Sequence, residues 1–234
     1  VHPTIVAATL PHLNRHVAAM VRVQQFTGMR PGEVCIMRAR DLDTTGHVWL
    51  YRPSSDQGPV GQHKTAYAGW QRIIALGPQA QEIVKPFLTL NTTAFLFGPR
   101  KALDEMRADM RARRKSKVPP SQQNRRQKKP LWTPGERYTT QAYYNCIRRA
   151  CKRADRDARA KAIADGMDRR EAEARVFVPA WHPHQLRHTH ATEVRRRYGL
   201  EAAQVSLGHS HANVAEVYAE RDLGLAVKVA AEIG

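Results

Sequence analysis

"HPHQLRHTHAT", His182 to Thr192, sets a proline one residue ahead of a His-x-x-Arg pair near the start of a helix. Pro183 suits a helix N-terminus, and His184 and Arg187, three apart, then share one face. A helix N-terminus, a guanidinium and an imidazole together make an anion site with a titratable group beside it. Taken alone, the same residues equally make a solvated basic face. His184 and His188 also have the i, i+4 spacing of zinc ligands, but Arg187 lies between them and the chain has no HExxH. No metal and no cofactor is expected. A buried or supporting hydrogen-bonding role is expected for His188, and surface positions for His182, His190 and His211.

Outward from that stretch, the chain is strongly basic. Its 234 residues carry 38 Lys+Arg against 21 Asp+Glu, a formal charge of +17. Such an excess implies a polyanionic partner, most often nucleic acid. A membrane-surface role is disfavoured because no helix pairs a basic face with a continuous apolar one. No apolar run is long enough to span a bilayer, and the first residues lack the pattern of a signal peptide. Cys35, Cys146 and Cys151 form no CxxC pair and read as small buried residues of a protein in a reducing cytoplasm. The length suits one domain, or one large domain with an insertion. Starting without Met and almost at once in helical periodicity, the chain reads as a piece whose N-terminal part has been removed.

The periodicities give an order of elements. Leu13, Val17, Met20 and Val21 recur at helical spacing from His12 to Phe26, and Gly28 supplies the stop. Pro31 opens a short helix, "PGEVCIMR", at the N1 position it favours. "HVWLYRP" and "WQRIIAL" read as strands around a "GPVG" turn. "QAQEIVKPFLTL" is helical and "AFLF" extended. From Arg100 to Pro130 the first half reads as a basic helix. The second half, rich in Pro, Ser, Gln and cations, has too little apolar surface to order itself. A long helix follows from about Tyr138, with Thr139 or Thr140 as N-cap. "HQLRHTHATEVRRRYG", "LEAAQVSLGH", "ANVAEVYAE" and "LGLAVKVAAEI" are the last helices. The expected class is mainly α, or α+β: a helical bundle with a small antiparallel sheet or hairpin.

Three further motifs bear on function. In "TGMRPGE", Arg30 sits in a tight turn just before a helix, placed to fork onto two phosphate oxygens, with Glu33 one turn on to orient a neighbouring Arg or His. In "GQHKT", Lys64 lies at or near a hairpin, within reach of a DNA strand end. "LGHSHANVAEVY" holds His209 and Tyr218. Each alone has an ordinary reading: a surface Arg with a capping Glu, edge-strand protection, a helix-anchored Tyr.

In the order Arg30, Lys64, His184–Arg187, His209, Tyr218, these motifs resemble those of the tyrosine recombinases, the phage-integrase-type site-specific recombinases. The resemblance covers essentially the whole chain apart from the basic excursion, which is longer than a minimal member needs. It implies a tyrosine-recombinase-like catalytic domain over residues 1–234, a basic flexible insertion at about 101–136, and no N-terminal core-binding domain in this chain. It implies Tyr218 as nucleophile, Arg30 and Arg187 on the non-bridging oxygens, His184 as base, Lys64 as acid, and His209 as a further donor to the same phosphate. Glu33 and His188 would support them. The implied partner is double-stranded DNA, with self-association as a tetramer on it, in the cytoplasm at the nucleoid. The last helix either docks on a neighbouring subunit or packs on its own domain.

Arg107, Arg111, Arg113, Arg114, Lys115, Lys117, Arg125, Arg126, Lys128 and Lys129 face a single acid, Asp109, in the excursion. They are expected to lie along the duplex and contact phosphates without reading bases. A DNA-binding module that cuts nothing needs the cations but not a fixed order of His and Tyr. A type IB topoisomerase-like nicking and closing activity would use the same active site. A metal-dependent nuclease would need a carboxylate cluster that the sequence lacks.

Overall fold

The computed structural model describes residues 1–53, 72–120, 131 and 133–208. Its centre is α2 (Arg15–Thr27). The Asn14 side chain caps it by accepting the Val17 N–H at 2.9 Å. Val17, Met20, Val21 and Val23 are fully buried along it. Gly28 ends it with φ +61°, the left-handed cap that glycine adopts at least cost. Around α2 pack α4 (Pro78–Val84), α5 (Pro99–Ala112), α6 (Thr140–Ala164) and α8 (His184–Leu207), while α1 (Pro3–Thr9) lies on α6. The short α3 (Pro31–Cys35) follows the Gly28 turn with Pro31 in its first turn. α7 (Arg169–Ala174) is capped by Asp168, whose carboxylate accepts two backbone N–H groups.

The sheet is small and antiparallel, in the order β1 (Leu42–Asp43), β2 (Trp49–Tyr51), β3 (Ile74–Leu76), with Tyr51 opposite both Leu42 and Ile74. The expected class is therefore found, with one strand more than the sequence discloses. The two expected strands are shorter than their apolar runs.

Two helices also stop early. The helix expected over Pro31–Arg38 ends at Cys35, because Arg38 bridges to Phe95 and the Leu96 N–H bonds the Met37 carbonyl. The "AFLF" segment, expected to be extended, is bent around the single bridge residue Phe95. α4 tightens into a 3₁₀ turn over Lys85–Phe87, where Pro86 lacks an N–H to continue the helix. α6 begins after Thr139, one of its two expected caps, whose hydroxyl accepts the Ala142 N–H. α8 breaks at Gly199 (φ +86°, ψ 178°), which separates the two arms expected there. The last two expected helices and the "GPVG" turn lie outside the described residues.

The basic excursion starts as an anchored element. On α5, Ala102 is buried, and Glu105 pairs with Arg15 (2.7 Å) and lies 3.3 Å from His16 of α2. Arg100 pairs with Glu136 (2.5 Å), so the two ends of this stretch meet. Arg107, Arg111, Arg113, Arg114, Lys115 and Lys117 are all exposed beyond that anchor. Arg125, Arg126, Lys128 and Lys129 lie outside the described residues. Cys35 and Cys151 are buried, and burial pushes the Cys35 thiol up to about 12.

Candidate active site

One buried side chain fixes the two turns that carry the predicted residues. Gln24, fully buried in α2, donates its amide N–H groups to the Met29 and Pro183 carbonyls, both at 3.0 Å, and accepts the Tyr143 hydroxyl at 3.1 Å. The Arg30 turn, the start of α8 and the face of α6 are thereby tied at a single amide. A polar residue inside an amphipathic helix gives no sequence signal of this role.

Arg30 is the N-cap of α3. Its backbone N–H donates to Glu33 Oε2 (2.6 Å), and its Nη1 donates to Oε1 of the same carboxylate (3.1 Å). Arginine has no acceptor, so only the Glu33 half of a capping box exists here. The Arg30 side chain keeps 19% exposure, whereas Glu33 has 2%. Glu33 also receives Arg72 Nε at 3.4 Å. Arg72 was not foreseen from the sequence. It is buried, and burial lowers its pKa, with the Glu33 carboxylate opposing and the Arg30 charge adding to the shift.

Arg187 is the largest fully buried side chain, at 1% exposure. Its Nη1 donates to the Gly28 carbonyl and its Nη2 to the Leu207 carbonyl, both at 2.8 Å. The guanidinium is therefore held by the C-terminal ends of α2 and α8. His184, on the first turn of α8, meets His188 edge to face with ring centroids 5.1 Å apart. Partial burial holds the His184 pKa below its ordinary 6.5. The neighbouring His188, Arg187, His182 and Arg30 push the same way. The imidazole is thus neutral near pH 7 and able to accept a proton. Among the described residues no group of three or more His, Cys, Asp or Glu could hold a metal ion. No helix among them is long and apolar enough to cross a membrane.

His190 corrects an expectation. It is no surface residue: its Nδ1 lies 3.1 Å from the Gln25 carbonyl, its Nε2 lies 3.2 Å from Ser206 Oγ, and burial lowers its pKa. The i, i+3 and i+4 spacing places His190 one turn beyond Leu186 and Arg187, on the face that α8 turns toward α2. His182 is exposed, as expected.

The starts of α3, α6 and α8 surround an open cavity of about 370 Å³, lined by Pro31, Thr140, Tyr144, His182 and His184 among others. The structure thus brings together Arg30, Glu33, His184, Arg187 and His188. Lys64, His209 and Tyr218 lie outside the described residues. The chain resumes at Arg72, and the description ends at Gly208. A Cβ on Gly208 would stand 2.2 Å from Arg72 Nη1, so these two residues touch beside the Glu33 pair. Chemically, the cavity presents the neutral imidazole of His184, with the charges of Arg30 and Arg187 close behind it, a setting suited to an anion and a proton transfer.

The family model described as "Phage integrase family" matches residues 3–223. Among solved structures, the XerA recombinase is similar with a TM-score of 0.55 at 17% identity, over 100% of this chain and 65% of its own. The Tn1549 transposon integrase, in complex with a circular intermediate DNA, gives 0.57 at 15% identity over 99% and 64%. At such identities the likeness is one of fold, and the chain spans just under two thirds of the length of those proteins. No curated protein matches the sequence.

Proposed function

The chain belongs to the phage integrase family over residues 3–223, and on that premise we propose that it is the catalytic domain of a site-specific tyrosine recombinase. Such an enzyme cleaves and rejoins DNA through a covalent 3′-phosphotyrosine. The observation that carries the reading is that Arg187 bonds the Gly28 carbonyl, two residues before Arg30, so that two elements far apart in sequence set both arginines near His184. A charge of +17 supports a DNA duplex as the partner.

In this reading Arg30 and Arg187 neutralise the non-bridging oxygens and the charge that builds in the five-coordinate transition state. A phenol with a pKa near 10 needs a base to attack at neutral pH. His184, held neutral, takes the Tyr218 proton as the phenolic oxygen bonds phosphorus. The bond from phosphorus to the 5′ oxygen breaks, and Lys64 protonates the departing oxygen. Attack by a second 5′-hydroxyl reverses these steps and releases Tyr218. The bond energy is kept in the phosphotyrosine, so resealing consumes no nucleotide. Glu33 aligns Arg30, His209 donates to the same phosphate, and four copies assemble on the DNA.

The segment from about 101 to 136 is an arm rooted on α2 by Glu105. Its cations, from Arg107 to Lys117 and on to Lys129, run along the duplex backbone in this reading.

The test is covalent trapping. The full-length protein is incubated with nicked suicide duplexes tiled across the DNA that flanks its own gene, then denatured and resolved from free DNA. Wild-type protein forms a denaturant-stable adduct on some duplexes, and Tyr218→Phe binds the same duplexes without forming it. An adduct from Tyr218→Phe, or none from wild type on any duplex, would sink the proposal.

A further inference from the structure

We propose that Arg72 is a positioning residue for strand cleavage, a clamp that sets Arg30 through Glu33 and fixes the end of α8 from which His209 follows. The inference rests on the recombinase reading above and names a residue that this reading does not use. The Arg72 side chain is 4% exposed and Glu33 is 2% exposed. From that buried position Arg72 Nε reaches Glu33 Oε1 (3.4 Å), and Nη2 reaches the Ser206 carbonyl (3.3 Å). Nη1 meets the carbonyl of Ile73, its own neighbour in sequence (3.4 Å). These are long hydrogen bonds, so the clamp works through charge and fit more than through any one of them.

Fit is tight on the α8 side. Gly208 has φ +64°, and a Cβ there would fall 2.2 Å from Arg72 Nη1 and 2.9 Å from Cζ. The guanidinium therefore lies against bare backbone immediately before His209. On the other side Glu33 Oε1 is shared between Arg72 Nε and Arg30 Nη1, while Oε2 holds the Arg30 N–H. A buried carboxylate stays charged only when cations and donors compensate it. Without Arg72, Glu33 would lose one of its two guanidinium partners, and Arg30 would lose its fixed direction. In sequence, Arg72 stands just ahead of β3 and shortly after Lys64. One side chain thus joins the turn that carries Arg30 to the end of α8.

A residue that only packs would change how much protein is folded. A positioning residue changes how fast the folded protein reacts. Arg72→Gln, Arg72→Lys, Glu33→Gln and the Arg72→Gln/Glu33→Gln double variant of the full-length protein separate the two roles. Single-turnover cleavage of the tiled suicide duplexes, at saturating protein, gives a rate constant and an active fraction independently. Duplex affinity is measured alongside.

The expected result is unchanged affinity and active fraction, with a rate constant lower by on the order of 10²-fold for Arg72→Gln, the scale of a small misplacement of reacting groups. Arg72→Lys keeps the charge but cannot span Glu33 and Ser206, so it falls between Arg72→Gln and wild type. The double variant is no slower than the slower single one, because both act through one carboxylate. If Arg72→Gln does not fold, Arg72→Lys carries the test.

A wild-type rate constant in Arg72→Lys would overturn the inference alone. So would a loss confined to the active fraction, or rate losses that multiply in the double variant. Absence of any adduct from wild-type protein would instead remove the recombinase reading, and this inference with it.

Discussion

Replacing Arg187 with alanine should damage both the fold and the chemistry, whereas replacing Arg30 should damage the chemistry almost alone. Arg187 is 1% exposed and gives 2.8 Å bonds to the carbonyls of Gly28 and Leu207. A hydrogen bond from a charged donor contributes about 1.5–3 kcal/mol, and two lost together amount to roughly 3–6 kcal/mol. For a domain of this size each kcal/mol moves Tm by roughly 2–4 °C, so Arg187→Ala should melt roughly 6–24 °C below wild type. Arg30 keeps 19% side-chain exposure and one side-chain ion pair, at 3.1 Å. Its backbone bond to Glu33 survives any substitution except proline. The Tm of Arg30→Ala should therefore move by only a few degrees, in keeping with about 1 kcal/mol for a partly exposed pair. Cleavage by the folded fraction should fall about 10²–10³-fold in both variants, the usual loss for one donor to a developing charge. Circular-dichroism melts and single-turnover adduct formation give the two numbers separately. A Tm for Arg187→Ala within two or three degrees of wild type (under about 1 kcal/mol) would refute the carbonyl bridge. A normal cleavage rate in either variant would reduce that arginine to a DNA clamp.

Acid should weaken both the fold and the reaction. His16, His184 and His190 are all held below 6.5, chiefly by burial. The unfolded chain therefore binds more protons than the folded one as pH falls through 6.5 and then through the lowered values. Stability is full above 6.5 and declines below it, which melts at stepped pH will show; a Tm that rises on acidification would contradict the burial of these rings. The cleavage rate should have an acid limb below pH 6.5 that disappears in His184→Gln, and a limb unchanged by that substitution would take the base role from His184. Deleting residues 107–129 leaves the Arg15–Glu105 and Arg100–Glu136 pairs in place, so the domain should fold. Affinity should drop similarly on all sequences, and the slope of log affinity against log salt should fall by roughly 0.9 per lost phosphate contact. An unchanged slope would show that the arm does not touch DNA.

What could be read from the sequence was whatever local chemistry dictates. The Gly28 stop, Pro31 at the start of α3, Thr139 as a cap and the break between "RRRYG" and "LEAAQ" each follow from one residue's backbone preference. The grouping of Arg30, His184 and Arg187 followed from motif order, not from any contact visible in the chain. Elements held by tertiary pairing were not legible. β1 is two residues long and exists because Leu42 and Asp43 meet Tyr51 and Leu50. α7 is a six-residue helix capped by Asp168 in a run of charges with no apolar periodicity to mark it. From the sequence His190 reads as a surface residue and Gln24 and Arg72 are not singled out, because nothing local shows that a polar side chain has buried partners waiting for it. Asp155 is the same case on α6: its carboxylate accepts the N–H groups of Phe177 and Val178 and fixes the path from α7 toward α8.

The way the site keeps its cations also bears on what it can bind. Burying a guanidinium is costly unless something compensates it. A matching carboxylate for each one would leave little field for a phosphate. At Arg187 two of the compensating groups are carbonyls at the ends of α2 and α8, where helix dipoles present negative charge. At Arg30 and Arg72 a single buried carboxylate, Glu33, serves two guanidiniums. Arg30 and Arg72 are thus held with one buried carboxylate between them, which leaves a net positive charge and its field near His184 in a region of low dielectric. Such a field is strongest toward a group that gains negative charge as it reacts. A pocket built only to bind a static phosphate would have no need to hold Arg187 so deep, since an exposed lysine does that at far less cost to the fold. In the recombinase reading proposed above, the depth of Arg187 and the sharing of Glu33 fit a site organised around a transition state.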